Sequence, residues 1–233
     1  MLDRLVAVSY IAAVALLAGC PPARLAPLVG VPLAAGDAEA ARGWATSTVP
    51  RHRTAFRFKF GYQDEGRSWG GRGTARVAPA DSLRFDYTGP LGLGSGAAVV
   101  VGDSVMWADP AENFRSLVPA VAILWTALGI VRPPGAEAAV ERAESPPRSI
   151  WRFVQHGDTL DYVASTDGAI RILESEWRKD GKVLARCRTE FDVSARPAKA
   201  HVTFPEVPAR LDFTVVAVDT TAVFAPAIWR SRR

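Results

Sequence analysis

Cys20 and Cys187, the two thiols of this 233-residue chain, stand in opposite contexts. Cys187 lies in Val183-Leu184-Ala185-Arg186-Cys187-Arg188-Thr189-Glu190-Phe191, in phase with Val183, Ala185 and Phe191, while Arg186, Arg188 and Glu190 take the other side. Alternation with period 2 puts this thiol on the buried face of a strand, where it packs as a small hydrophobe. The three imidazoles, His52, His156 and His201, lack the mutual spacing of a metal site and read as solvated groups. Asp158, Asp161, Asp167 and Asp180 fall at hairpin ends, where turn chemistry accounts for them. The run Gly92-Leu93-Gly94-Ser95-Gly96-Ala97 has the glycine density of a dinucleotide or hydrolase loop. It lies between two strand patterns with no helix after it, so both readings fail on context. No catalytic constellation, metal site or cofactor is expected, and the chain reads as a non-enzyme.

Cys20 closes an amino-terminal segment of another kind. Arg4 precedes an apolar run, Leu5 to Ala18, interrupted only by Ser9 and Tyr10, and the run ends in Leu17-Ala18-Gly19-Cys20. Charge, length and small-residue exit are those of a signal peptide, and the run falls short of the roughly 20 residues of a membrane span. Leu-Ala-Gly-Cys resembles the bacterial lipobox, in which the thiol takes a diacylglyceryl group and the bond before it is cut. That resemblance implies a signal peptide over 1–19 and a lipidated Cys20; stable anchoring of such a terminus takes two or more acyl chains. An ordinary signal peptide, or an uncleaved anchor with a chance cysteine, is the alternative. Pro21 rather than Asp follows, so by resemblance to the enterobacterial sorting rule nothing argues for retention in the inner membrane. Lipidation would leave Cys187 alone, without a disulfide partner in a mature monomer.

The elements that position these groups follow from composition and period. With 48% hydrophobic and 22% charged residues and a mean hydropathy of +0.06, the chain is neither disordered nor polytopic. Its net charge of +4 comes from arginines spread along the chain beside acids, a pattern that argues against nucleic acid as a partner. Residues 20–50, rich in Ala, Pro and Gly, read as a tether with a short helix from Asp37 to Thr46. The body, 51–233, opens with Phe56-Arg57-Phe58-Lys59-Phe60, a strict alternation of a half-buried strand. Similar segments follow at Arg72–Val77, Leu83–Tyr87, Ala97–Val101 and Val105–Trp107. They resume at Ile150–Gln155, Thr159–Ala164, Ala169–Trp177, Lys182–Phe191, Lys199–Phe204 and Leu211–Val218. About eleven antiparallel strands in one sheet must curl or close.

Between the two strand series the period changes. Asp109-Pro110-Ala111-Glu112 has the form of a capping box, and Phe114, Leu117, Val118, Val121, Leu124, Trp125 and Leu128 recur at helical spacing. Gly129 can close this helix and Pro119 should kink it. So broad an apolar stripe packs into the concavity of the sheet, either as a fixed core helix or as a movable lid. The connection from Pro133 to Pro147 has room for a short helix at Ala136–Ala143. Most tryptophans should line the core of a curved sheet, with Trp107 and Trp125 best placed for a cavity.

This order of parts resembles the LolA/LolB superfamily of lipoprotein carriers and receptors, more closely its lipidated LolB-like branch. The residues that carry the likeness are Gly71-Arg72-Gly73-Thr74-Ala75-Arg76-Val77, Asp81-Ser82-Leu83-Arg84-Phe85-Asp86-Tyr87 and Gly89-Pro90-Leu91-Gly92, within residues 56–108. The resemblance implies a mainly β (α+β) fold, an open half-barrel with a helical lid near 110–130. Its apolar cavity would take acyl chains or lipoproteins and be lined by Phe58, Phe85, Trp107, Phe114, Leu117, Val121, Trp125 and Leu128. It further implies a protruding loop in which Leu91, extended by Leu93, meets the membrane, a periplasmic carrier as partner, and a place on the periplasmic side of the outer membrane. Read without the resemblance, Gly89–Gly96 is a connector whose only bulky side chains are leucines, or a plain hairpin with those leucines folded onto the sheet. A structural envelope lipoprotein with a filled core is the competing function.

Overall fold

The computed structural model describes residues 27–79, 81–92, 94–111 and 121–230. The chain divides into two compact units, 1–30 and 31–233, and the second carries the elements that follow. Among the described residues, thirteen strands form one antiparallel sheet: β1 (Ala34–Ala35), β2 (Thr54–Gln63), β3 (Ser68–Ala78), β4 (Ser82–Thr88), β5 (Ser95–Val101), β6 (Ser104–Asp109), β7 (Ala139–Ser145), β8 (Arg148–Gln155), β9 (Asp158–Asp167), β10 (Ile170–Lys179), β11 (Lys182–Phe191), β12 (Pro197–Phe204) and β13 (Ala209–Asp219). Their order is β1-β7-β8-β9-β10-β11-β12-β13-β2-β3-β4-β5-β6, so the pairing of β13 with β2 joins two meanders and the sheet stays open, with β1 and β6 at its edges. Among the described residues two α-helices are complete, α1 (Ala38–Thr48) and α2 (Val121–Ala127).

Alternation decides which face is inner. Phe56, Phe58 and Phe60 of β2 are buried, while Arg57 and Lys59 point to solvent. Across the register, Phe58 faces Gly73 on β3 and meets Phe213 and Phe85 edge-to-face at 5.1 and 6.4 Å between ring centres. A Cβ on Gly73 would sit 2.4 Å from the Phe58 ring, so the glycine makes room for the aromatic packing. Ala185, Cys187, Val202, Leu211 and Phe213 from β11–β13 join the same core, with α2 between them and the β2–β5 residues. The sheet thus curls around α2, burying its apolar residues on both sides.

Two elements differ from what the sequence led us to expect. The strand count is thirteen rather than about eleven, and Ala139–Ser145 is β7 rather than part of a short helix at Ala136–Ala143. Its Ala, Glu and Arg residues favour helix in isolation, but pairing with β8 from Ala139 opposite Val154 to Ser145 opposite Arg148 overrides that preference. Asp109 ends β6; Glu112, Phe114 and Leu117 of the helix expected to follow it lie outside the described residues. The helix of the amino-terminal segment forms as read, with the Asp37 carboxylate accepting from the Glu39 backbone N–H at 2.8 Å. It is packed on the sheet: Ala41 and Ala45 are buried against Val140, Trp151, Phe153, Tyr162 and Leu173, and Trp44 stacks on Trp151 at 5.7 Å.

The outer face carries charge. Glu176 and Asp161, opposite each other on β10 and β9, are both fully buried there beneath Arg152, Arg178 and Arg186. Arg152 and Arg178 each hold Asp161 at 2.6 Å, and Arg186 Nε donates to Glu176 at 2.6 Å.

Candidate functional site

α2 is fastened at both flanks. Trp125, almost wholly buried, donates its Nε1–H to the carbonyl of Gly102 in the β5–β6 turn at 3.1 Å. On the other side Thr126 Oγ1 lies 3.0 Å from Ser175 Oγ on β10, and Thr189 Oγ1 on β11 donates to the Thr126 carbonyl at 2.7 Å. Gly129, at φ +76°, donates to the Thr126 carbonyl at 2.8 Å and ends the helix as its sequence position suggested. The chain then runs through Val131, whose N–H donates to Thr48 of α1, and Arg132, whose N–H donates to the Tyr162 hydroxyl. Burial raises the pKa of that hydroxyl. These bonds tie residues 125–132 to the sheet and to α1.

Beside the first turn of α2 a pocket of about 390 Å³ opens between Val121–Ile123, the segment from Arg132 to Ala138, and the ends of β8, β9 and β10. Its volume lies within the range of small-ligand sites, roughly 300–1,000 Å³. Phe153, Leu160 and Trp177 supply the apolar surface: Phe153 faces Leu160 across β8–β9, and Leu160 faces Trp177 across β9–β10. One rung nearer the hairpin tip, Gln155 faces Asp158. Gln155 lies so close to Gly135 that a Cβ there would meet its Oε1 at 2.3 Å. Arg132 closes the remaining side, its Nε 3.2 Å from Asp103 Oδ1 and its guanidinium 5.2 Å from the centre of the Trp125 ring. The pocket therefore has an apolar side and a polar end, the build of a site for an amphiphile.

The residues expected to line a cavity are distributed differently. Val121 lines this pocket. Phe58, Phe85, Trp125 and Leu128 are buried in the main hydrophobic core. Trp107 sits on the opposite face from Phe85, in the row Arg76–Arg84–Val99–Trp107. There the returning carboxyl-terminal segment covers it: Trp107 Nε1 donates to the Trp229 carbonyl at 3.0 Å, and the Arg84 guanidinium lies 5.2 Å from its ring centre. Leu91 falls in a 3-10 turn, Pro90–Gly92. The Leu91 side chain, Leu93, Cys20, Phe114 and Leu117 lie outside the described residues. Sequence reasoning missed Phe153, Leu160 and Trp177. Their in-phase positions on β8, β9 and β10 marked them as inward-facing, but nothing local marks an inward residue that borders space rather than another side chain.

Cys187 and Thr189 are buried neighbours on β11, the thiol 3.5 Å from the hydroxyl, and burial pushes the thiol pKa up to about 12. His201 is exposed and pairs with Asp212 across β12–β13. Among the described residues no three or more His, Cys, Asp or Glu side chains are grouped so as to hold a metal ion, and no helix is long and apolar enough to cross a membrane.

No protein-family model and no curated protein matches the chain. Solved structures do. A LolA superfamily protein from Nitrosomonas europaea is 10% identical, with 84% of this chain and 99% of that one covered at a TM-score of 0.50. A domain from Vibrio parahaemolyticus, described as of the outer membrane lipoprotein-sorting kind, is 6% identical, with 83% and 97% covered at a TM-score of 0.51. At such identities the likeness is one of fold, and on it, together with the open antiparallel sheet curled around a helix, the chain has the LolA/LolB-like fold.

Proposed function

We propose that this chain is a non-enzymatic lipid-handling protein of the bacterial envelope, which holds an acyl chain, free or as part of a lipoprotein, in the pocket beside α2 and releases it to a membrane. The observation that carries the reading is the pocket itself, with Phe153, Leu160 and Trp177 on one side and Val121 and Ile123 on the other. Transfer of ten methylene groups out of water is worth on the order of 8 kcal/mol, enough to hold a chain and still surrender it to a bilayer. In this reading lipidated Cys20 tethers the protein to the periplasmic side of the outer membrane, as in the LolB-like branch. Leu91 and Leu93 sit at the point of delivery, and a periplasmic carrier supplies the cargo. The fastened α2 confines entry to the mouth of the pocket, without a swing of residues 125–132.

A second reading, a structural envelope lipoprotein, draws on the burial of Trp125 and Leu128 among core side chains. One experiment separates the two. Native mass spectrometry of the purified chain before and after organic extraction, followed by titration with a fluorescent fatty-acyl probe, should reveal extractable acyl masses or saturable binding that Trp177→Ala and Leu160→Ala weaken. A clean mass and no uptake of probe would leave the scaffold reading.

A further inference from the structure

The polar end of the pocket discriminates among the head groups that an acyl ligand could carry; this inference rests on the acyl-binding reading above. Gln155 and Asp158 lie two residues outward from Phe153 and Leu160 on the same faces of β8 and β9, about 7 Å along the strands. An acyl chain lying against Phe153, Leu160 and Trp177 would therefore bring its head group to this outer rung. The charges there are unequal. Arg132 turns its Nε to Asp103 at 3.2 Å and lays its guanidinium over the Trp125 ring at 5.2 Å. Asp158 Oδ1 is shut off from solvent and accepts no hydrogen bond. Lys179, which faces Asp158 in the β9–β10 register, is exposed, and Asp158 makes no ion pair among the described residues. His156 at the hairpin tip is exposed and lies 3.9 Å from Glu137. A carboxylate or phosphate entering here would lie beside the Asp158 carboxylate, which makes no ion pair among the described residues, whereas an N–H group would offer that carboxylate a donor through its outer oxygen.

We propose that the pocket selects acyl ligands whose polar end is an N–H donor, an amide or an ammonium, over those that end in a carboxylate or phosphate, with Asp158 as the discriminating residue. Three probes of equal chain length, dodecanamide, dodecylamine and dodecanoate, compete with a fluorescent acyl probe on the full chain, each below its aggregation threshold. Dodecanamide and dodecylamine should displace the probe at concentrations at least about tenfold lower than dodecanoate, as a like charge within a few ångströms of Asp158 demands. Asp158→Asn, which keeps the shape and removes the charge, should bring dodecylamine and dodecanoate to within about threefold of each other and leave dodecanamide within about threefold of its original value. Dodecanoate competing as well as the amide, or an amine-to-carboxylate ratio untouched by Asp158→Asn, would overturn the proposal while leaving acyl binding intact. Failure of the fluorescent probe to bind at all would instead remove the acyl reading, and the selectivity with it.

Discussion

Thr189 on β11 donates its hydroxyl to the carbonyl of Thr126 in α2 at 2.7 Å, and both residues are fully buried. The last turn of α2 is thereby joined to the sheet at a place where no water can substitute. Thr189→Val keeps the side-chain shape and removes the donor, leaving the carbonyl with only the Gly129 N–H and depriving Cys187 of its hydroxyl neighbour. Loss of one such buried bond costs about 1–3 kcal/mol. The urea midpoint should fall accordingly with an unchanged m-value. A midpoint equal to that of the parent would mean that α2 is held by apolar packing alone.

Most of the sheet was legible because its inner face is so regular. In β2, three phenylalanines alternate with Arg57 and Lys59, and in β11 Ala185, Cys187 and Thr189 alternate with Arg186 and Arg188, so the period of 2 survives any reasonable choice of boundaries. β7 was not legible: Val140 is its single buried residue, and Glu141, Arg142 and Glu144 say nothing local about a partner strand. β1, at two residues, is too short to carry a pattern. Trp107 misled for a related reason. Alternation tells that Trp107 and Met106 point to opposite faces, but not which face the carboxyl-terminal segment will return to cover, and Trp107 is bonded to Trp229, 122 positions away. The pocket was the least readable feature, since Phe153 and Leu160 differ from core residues only in what happens to lie opposite them.

Gly135 tests that pocket with a single methyl group. A Cβ at Gly135 would approach Gln155 Oε1 to 2.3 Å, and the side chain that must yield is flexible and lines the pocket. Gly135→Ala should therefore displace Gln155 into the cavity and weaken acyl-probe binding several-fold, with stability changed by less than about 1 kcal/mol. Adding Gln155→Ala should restore the affinity. Fluorescence titration of the single and double variants checks both steps, and a double variant no better than the single one would mean that the methyl group acts through the backbone.

Cys187 makes stability fall with alkaline pH. Its thiol, with an ordinary value of 9.0, is held protonated to about 12 by burial, so above pH 9 the unfolded chain releases a proton that the folded chain keeps. Unfolding is then favoured by up to about 1.4 kcal/mol for each pH unit, and the stability present below pH 9 is lost progressively toward pH 12. Tyr162, raised from 10.0 by burial, adds to the same trend above pH 10. Urea midpoints at pH 8, 9 and 10 should decline, and Cys187→Ala should flatten the interval from pH 9 to 10. The native thiol should also resist alkylation at pH 8 until denaturant is added.

Leu91 separates holding from delivery. In the proposed function its turn, Pro90–Gly92, lies on the β4–β5 connection and contributes nothing to the pocket, which β8, β9, β10 and α2 enclose. Leu91→Glu should leave the affinity for a fluorescent acyl probe within about twofold while slowing its transfer to phospholipid vesicles at least tenfold, because a charge replaces an apolar tip at the bilayer surface. Equal loss of binding and transfer would place Leu91 in the ligand site instead.

Asp161 offers the sharpest stability test. Its carboxylate is fully buried on the outer face, each oxygen within 3.1 Å of an arginine nitrogen, Arg152 on one side and both Arg152 and Arg178 on the other. Directly across the strand pair lies Glu176, equally buried and held by Arg178 and Arg186. Arg152, Arg178 and Arg186 thus offset Asp161, Glu176 and, at 3.5 Å, Glu141. Asp161→Ala leaves Arg152 with only Glu141, at 3.5 Å, and leaves Arg152, Arg178 and Arg186 with one acid too few. Breaking one member of a buried ion network costs about 3–5 kcal/mol, far more than the 1 kcal/mol or less of an exposed pair such as Arg42 with Glu39. Chemical denaturation of Asp161→Ala beside Glu39→Ala should show that contrast. Acyl-probe binding measured below the unfolding transition should survive in Asp161→Ala, because its side chain lies on the face of β9 away from Leu160 and the pocket.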